Sequence, residues 1–521
     1  MAGKPPDHHG RHLPHEASSR GERPGPAAAR TAPRVLFVAS EVAPYRKTGG
    51  LADVAGALPK ALGRRGIDVR VVMPLYQGVP WHDLERLDGL LRVPMYYGEG
   101  RAAVRMGRLP ASDVPIYFIE HNSYFDRPHA YGPPGESYAD NLERFAFFSR
   151  ATLELCKALA FRPDVVHAND WQTALVPVYL NTVEWAQPLH GSASVFTIHN
   201  LAHQGVFDGG AMLLTGLGRE HYHAGEFEHL GVMNLMKAAI QHSTLLSTVS
   251  PTYAREIQGP AQGFGLDGVL AARDGDLRGI LNGIDIDEWD PATDRHLAAR
   301  YDARDTAGKS ACKAALQREM ALPVRGDLPL FGIIGRLASQ KGFDVLAHAL
   351  GRILSWDLQM VLLGSGDRDA EHFFGETSRR WGDRFRACIG FDEGLAHRIE
   401  AGSDFFVMPS RFEPCGLNQM YSLRYGTLPV VRATGGLADT VLQYDETTGG
   451  GTGFRFDDLD PDSLANAIGW ALSTFHDRPA HIAAMRARAM AQDFSWARAA
   501  ASYERLYRDA YERRRGHPFH R

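Results

Sequence analysis

The chain of 521 residues has only four cysteines, Cys156, Cys312, Cys388 and Cys415, scattered along it without a Cys-x-x-Cys pair. That spacing excludes a disulfide framework and a cysteine-based zinc site, and it suits the reducing cytoplasm. No apolar run approaches the ~18 residues that suggest a membrane-spanning helix, so no membrane partner is expected. An excess of one charge is also missing. The 57 Lys and Arg nearly balance the 61 Asp and Glu, leaving a net charge of −4. A nucleic-acid partner therefore has no electrostatic footprint. The first 33 residues nearly lack large apolar side chains and are rich in Pro, Gly, His and Arg. They cannot bury enough surface to offset their ordering, and residues 1–33 read as a disordered, dispensable extension without the apolar core of a secretory signal.

From Arg34 onward the pattern changes. Short continuous apolar runs alternate with helical stretches: RVLFVAS (34–40), DVRVVMP (68–74), VPIYFIE (114–120), PDVVHAN (163–169), SASVFTIHN (192–200) and TLLSTVS (244–250). A second series follows, with LPLFGIIGR (328–336), LQMVLLGSG (358–366), FRACIGF (385–391), DFFVMPS (404–410) and LPVVRAT (428–434). Continuous rather than alternating Val, Ile, Leu and Phe imply strands covered on both faces, as in parallel sheets. Two such series imply an α/β chain of two doubly wound domains, 34–278 and 279–493, followed by a C-terminal helical segment, 494–521.

One hexapeptide, TGGLAD, occurs at Thr48–Asp53 and again at Thr434–Asp439. Each copy follows a strand-like run, has basic residues before it (Arg46-Lys47; Arg432) and opens a helix. Paired glycines admit a ligand close to the backbone, and helix-start N–H groups favour anions. The repeat thus reads as two anion-cradling turns, one per domain, facing a shared cleft. Helix capping by Asp53 and Asp439 is the plainer alternative. FGIIGRLASQKG places Arg336 and Lys341 just after a strand, where two cations suit a diphosphate leaving group. PSRFEPCGLNQMY places Glu413 beyond another strand, where a carboxylate can accept hydrogen bonds from sugar hydroxyls. His199 ends the run FTIHN.

KTGGLADV, VVHANDWQT, FTIHNLAHQG, VSPTYAREI, LNGID, GRLASQKG, PSRFEPCGLNQMY and TGGLADTV, in this order, closely resemble the bacterial glycogen synthase and plant starch synthase family. The resemblance spans about 34–510. It implies the GT-B fold, two Rossmann-like domains facing a deep cleft with the C-terminal helix crossing back to the N-terminal one. The implied reaction moves α-glucose from ADP-glucose to the non-reducing-end 4-hydroxyl of an α-1,4-glucan, with retention at the anomeric carbon. ADP-glucose is a substrate, and no cofactor or metal is expected. The resemblance implies that Lys47, Gly49 and Gly50 meet the donor's phosphates, that Asp53 belongs to the same substrate-binding set, and that Arg336 and Lys341 neutralise the departing diphosphate. Glu413 holds glucose hydroxyls and His199 lies beside the anomeric carbon. Thr434, Gly435 and Gly436 add backbone donors. Asp140 and Asn282 lie near donor or acceptor, Phe391 stacks on adenine, and Cys415 packs beside Glu413. Two positions depart from related patterns. The Glu-x7-Glu pair of other retaining GT-B enzymes is replaced by Glu413 and Tyr421, as in glycogen synthases, and Phe391 stands where many relatives have Tyr.

Overall fold

The computed structural model describes residues 32–133 and 135–519. The expected N-terminal extension lies outside them except for its last two residues. The described chain divides into two compact units. One comprises the residues up to 248 with 257–280 and 499 onward, and the other comprises 249–256 and 281–498. The division is therefore less simple than a cut after residue 278. Val249–Glu256, read from sequence as part of the first domain, belongs to the second unit.

In the first unit seven strands run parallel. Their order is Pro115–Glu120, Asp68–Pro74, Arg34–Val38, Val165–Asn169, Ala193–Ile198, Leu245–Thr248, Leu277–Gly279. Counted along the chain, the sheet reads third, second, first, fourth, then fifth to seventh. Val35, Phe37, Val71, Val72, Ile116 and Phe118 are all fully buried, which is why these runs carry no polar alternation. The second unit holds Phe385–Ile389, Gln359–Gly364, Leu330–Ile334, Phe405–Met408, Leu428–Arg432, Phe454–Phe456, also all parallel. Its order is again third, second, first, fourth, fifth, sixth. This is the doubly wound arrangement, and in such sheets ligands bind beyond the strand ends where the order reverses, between the first and fourth strands.

Sequence periodicity did not reveal three further strands of the first unit, Glu85–Arg86, Leu91–Met95 and Gly98–Arg108, which extend the sheet antiparallel. The last helix, Trp496–Arg515, is anchored in the first unit through Tyr507, whose hydroxyl lies 2.8 Å from His167 Nδ1. No helix among the described residues is long and apolar enough to cross a membrane.

Candidate active site

In the second unit, the strand Leu330–Ile334 leads through Gly335 to Arg336, which is exposed and forms no ion pair among the described residues. A single turn, Ser339–Lys341, ends at Gly342 with φ 71°. A Cβ there would stand 1.9 Å from the carbonyl oxygen of Pro409. Only glycine allows the turn to lie against the exit of the fourth strand, Phe405–Met408. The close approach brings Lys341 Nζ to 2.6 Å from Glu413 Oε2, and Ser410 Oγ donates to the same oxygen at 2.9 Å. The Glu413 side chain is 6% exposed and that of Lys341 26%. A buried carboxylate compensated by an ammonium group thus lies where the strand order reverses. Arg411 fastens the two loops together by donating to Ser339 Oγ and to the Asp344 carboxylate.

The second TGGLAD follows the fifth strand, Leu428–Arg432, and opens the helix Gly435–Thr440. Its backbone donors are not free, contrary to the role expected of Thr434, Gly435 and Gly436. Thr434 Oγ1 and the Gly435 N–H both donate to the Glu256 carboxylate, at 3.0 Å to Oε1, and the Gly436 N–H donates to the Glu413 carbonyl at 3.1 Å. The glycines are needed for packing. A Cβ on Gly435 would meet the Glu413 carbonyl oxygen at 2.0 Å, and one on Gly436 would meet that of Cys415 at 1.9 Å. Asp439 does act as a cap, but on another helix: it accepts from Thr252 N at 2.8 Å and Thr252 Oγ1 at 2.6 Å, at the start of Pro251–Glu256. Arg432 donates to the carbonyls of Arg411 and Asp457.

The first TGGLAD follows the first strand of its own unit, Arg34–Val38. Buried Glu41 holds it in place: its Oε1 accepts from Thr48 Oγ1 at 2.5 Å and from Tyr131 Oη at 2.6 Å, and its carboxylate also takes the Thr48 N–H. Added Cβ atoms on Gly49 and Gly50 would meet nothing within 4 Å, so this turn has open space beside its backbone. Lys47 Nζ pairs with Asp53 Oδ1 at 2.7 Å, which makes Asp53 a counter-ion to Lys47. One hexapeptide therefore serves two purposes, forming an open turn in the first unit and a packed one in the second.

His199 lies just past the fifth strand of the first unit, Ala193–Ile198. Its Nε2 is 2.9 Å from Asn169 Oδ1, and its backbone N–H donates to Asp170 Oδ1 at 2.7 Å. Burial pushes the imidazole down to about 3, so it is neutral at ordinary pH. Burial also pushes the Asp170 carboxyl up to about 7, against the opposing effect of two backbone N–H donors. Asp140 is held by Arg127 through paired bonds of 2.8 and 2.5 Å.

In the second unit the Asn282 backbone N–H faces the Cys415 sulfur, and burial pushes that thiol up to about 12. Cys415 is therefore a packing group, set among Val249, Ile284 and Met420. Phe391 is 87% exposed and presents its ring to solvent. Tyr421, at the position of the missing second glutamate, stacks on Trp289 at 3.8 Å with the planes 9° apart. Glu41, Asn169, Ser410, Thr252 and Glu256 were not singled out from the sequence. Asn169, Thr252 and Glu256 act through partners that only the folded chain brings near, whereas Ser410 and Glu41 meet Glu413 and Thr48 within 3 and 7 residues along the chain.

Comparison with known proteins gives this fold a family. The family model described as "Starch synthase catalytic domain" matches residues 34–272, and "Glycosyl transferases group 1" matches residues 329–474. Glycogen synthase 1 of Geobacter sulfurreducens is 52% identical over 486 residues, covering 92% of this chain and 97% of that protein. The chain belongs to the glycogen and starch synthase family. Another relative, the glycogen synthase of Anaeromyxobacter sp. (strain Fw109-5), is 53% identical over 476 residues, 91% of this chain and 98% of its own. Among solved structures, the catalytic domain of starch synthase IV from Arabidopsis thaliana, bound to ADP and acarbose, superposes with a TM-score of 0.85. It is 35% identical, and the match covers 92% of this chain and all of that one. The sucrose-phosphate synthase of Thermosynechococcus elongatus, 17% identical with a TM-score of 0.58, shares the fold. Family membership makes the chain a glycosyltransferase with the GT-B fold.

Proposed function

We propose that the chain is a glycogen synthase that transfers α-glucose from ADP-glucose to the non-reducing-end 4-hydroxyl of an α-1,4-glucan, with retention. The observation that carries this reading is the pair Lys341–Glu413, 2.6 Å apart where the strand order reverses, with exposed Arg336 on the same loop. A sugar nucleotide needs both kinds of group. As the bond between the anomeric carbon and the diphosphate breaks, negative charge grows on the leaving ADP, and Lys341 and Arg336 supply fixed positive partners. Glu413 accepts hydrogen bonds from glucose hydroxyls. These two cations take the charge role for which a metal is otherwise used, and the reading assigns no cofactor to the reaction.

The state of Glu413 supports a same-face step over a double displacement. Its Oε2 is held by both Lys341 and Ser410, which suits a hydrogen-bonding group better than a nucleophile attacking the anomeric carbon. The pattern position of a second carboxylate is occupied by Tyr421, stacked on Trp289. The step assigned here forms the bond from the acceptor O4 to the anomeric carbon on the face from which ADP departs. The acceptor proton passes to the leaving phosphate oxygen. His199, uncharged, contributes as a neutral hydrogen-bonding group and not as a proton donor at neutral pH. The ADP-bound starch synthase IV supports ADP as the nucleotide, and four unpaired cysteines support a cytoplasmic setting.

Incubation of the purified protein with glycogen and either ADP-glucose or UDP-glucose, followed by nucleotide release and by NMR of the new linkage, tests the reading. Faster release of ADP with an α-1,4 product is expected. Preference for UDP-glucose would make the chain a sister enzyme with another donor, and a β-linked product would overturn retention.

A further inference from the structure

Away from the Lys341–Glu413 pair, the second unit brings together three side chains to which the glucosyl-transfer chemistry assigns no role. One ligating atom from each of Glu288, Glu393 and His397 lies within 4.8 Å of the others. Glu393 and His397 are four residues apart at the start of the helix Glu393–Gly402, so they share one face of it. Glu288 comes from the segment before Trp289 and faces them.

The imidazole is prepared for ligation. His397 is 1% exposed, and its Nδ1 lies 2.7 Å from Asp294 Oδ2. Its Nε2 makes no hydrogen bond among the described residues and is the nitrogen left for the two glutamates. A histidine whose other nitrogen is held by a carboxylate is the usual second-layer arrangement behind a metal ligand, fixing tautomer and ring orientation. Trp289 stacks on the same imidazole at 3.8 Å with planes 10° apart, which prevents it from turning. The two glutamates form no ion pair with Arg or Lys among the described residues, and their carboxyl groups are close enough to hydrogen-bond each other. Two neighbouring carboxyl groups without a cation either share a proton or repel one another, and a divalent ion between them would take the place of that proton.

We propose that Glu288, Glu393 and His397 bind a divalent transition-metal ion, with Asp294 as the positioning carboxylate behind His397. Two carboxylate oxygens and one imidazole nitrogen suit an ion of the zinc, cobalt or manganese class better than calcium or magnesium. Ligand atoms arranged tetrahedrally around such an ion sit ~3.5 Å apart. Glu288 and Glu393, both exposed, therefore close by up to ~1.3 Å onto the rigid histidine. The bound ion ties the segment around Glu288 to the helix that begins two residues after Phe391. Its role is to brace that loop, not to take part in bond breaking.

The test uses the full chain, freed of metal with a chelator, and Co²⁺ as the probe. Equilibrium dialysis counts the bound ions, and thermal unfolding with and without Co²⁺ reads their effect on stability. Comparison of the wild type with Glu288→Gln and Glu393→Gln is informative because both side chains are exposed and the substitutions leave the core intact. Each variant is expected to bind one Co²⁺ fewer than the wild type, and the Co²⁺-dependent rise in Tm is expected to shrink in both. Histidines near the N-terminus, and the group of His221, His223 and His242 around Glu226, add the same background to all three proteins. Equal stoichiometry and equal Tm response in wild type and both variants would overturn the proposal. Absence of Co²⁺ binding by the wild type would do so as well.

Discussion

The ammonium of Lys341 and the carboxylate of Glu413 meet at 2.6 Å, although 72 residues of chain separate them. The contact exists because Gly342 lets one loop lie against the carbonyl of Pro409. Removing either partner should therefore do more than delete one charge. Lys341→Ala leaves a buried carboxylate with Ser410 as its remaining donor among the described residues.

Lys341→Ala and Arg336→Ala are expected to lower kcat by roughly 10²–10³, the scale for loss of one preorganised electrostatic donor. The donor KM should change much less, because the charge they meet develops in the transition state. The double variant should fall short of the product of the two losses, since both residues answer one charge. Steady-state kinetics with donor and glucan varied separately checks this. A loss confined to donor KM would mean that the cations only bind.

Lys47 carries a separate expectation. Its side chain is more than half exposed and, among the described residues, forms an ion pair only with Asp53. If it serves the diphosphate, Lys47→Ala should repeat the kcat loss of Lys341→Ala. An unchanged kcat with a raised glucan KM would assign the first TGGLAD to the acceptor instead.

The two TGGLAD copies should respond oppositely to the same substitution. Gly436→Ala forces a methyl group into the Cys415 carbonyl, an overpacking that costs ~1–3 kcal/mol or more, and should lower Tm by several degrees. Gly49→Ala meets open space, and its backbone φ of −155° is available to alanine, so Tm should stay within about 1 °C. Any loss of activity in Gly49→Ala would then report on ligand approach and not on folding. Differential scanning fluorimetry beside an activity assay separates the two.

Acidification should weaken the first unit through His167. Burial holds this imidazole down to about 3, below the 6.5 of an unfolded histidine, so the unfolded chain takes up the proton first. The contribution is complete above pH 6.5 and is lost progressively as the pH falls towards 3. At pH 5 the loss should be ~2 kcal/mol for this residue, at 1.36 kcal/mol per pH unit. The carboxyls of Asp170 and Glu400, which burial pushes up to about 7 and 8, titrate in the opposite sense. The useful quantity is therefore the difference between wild type and His167→Gln. Denaturant unfolding at pH 7.5 and pH 5 should show the variant losing less stability between the two. Parallel curves would contradict the expectation.

The parallel strands were readable because segments such as LPLFGII and VLFVA are apolar on both faces, and only a sheet covered on both sides needs that. The antiparallel strand Gly98–Arg108 was missed because RAAVRMGR interleaves charge with small apolar residues and imitates a loop. Arg336, Lys341 and Glu413 were legible through their positions just beyond strand ends. Glu256 was not, because its partners Thr434 and Gly435 lie 178 and 179 residues further on. Nor did the sequence show that the repeated hexapeptide stands after the first strand of one sheet and the fifth of the other. Those stations are not equivalent, so the repeat is not the trace of a duplicated domain.

The path of the chain has a practical consequence for anyone wishing to study one half alone. Because 249–256 belongs to the second unit and 499 onward to the first, no single cut in the gene yields either half whole. A fragment beginning at residue 281 would lack Thr252 and Glu256, leaving Asp439 and the N–H of Gly435 without their partners. It would also carry the far end of the final helix away from His167. A soluble half-enzyme would have to be rebuilt by rejoining segments in a new order, not by truncation.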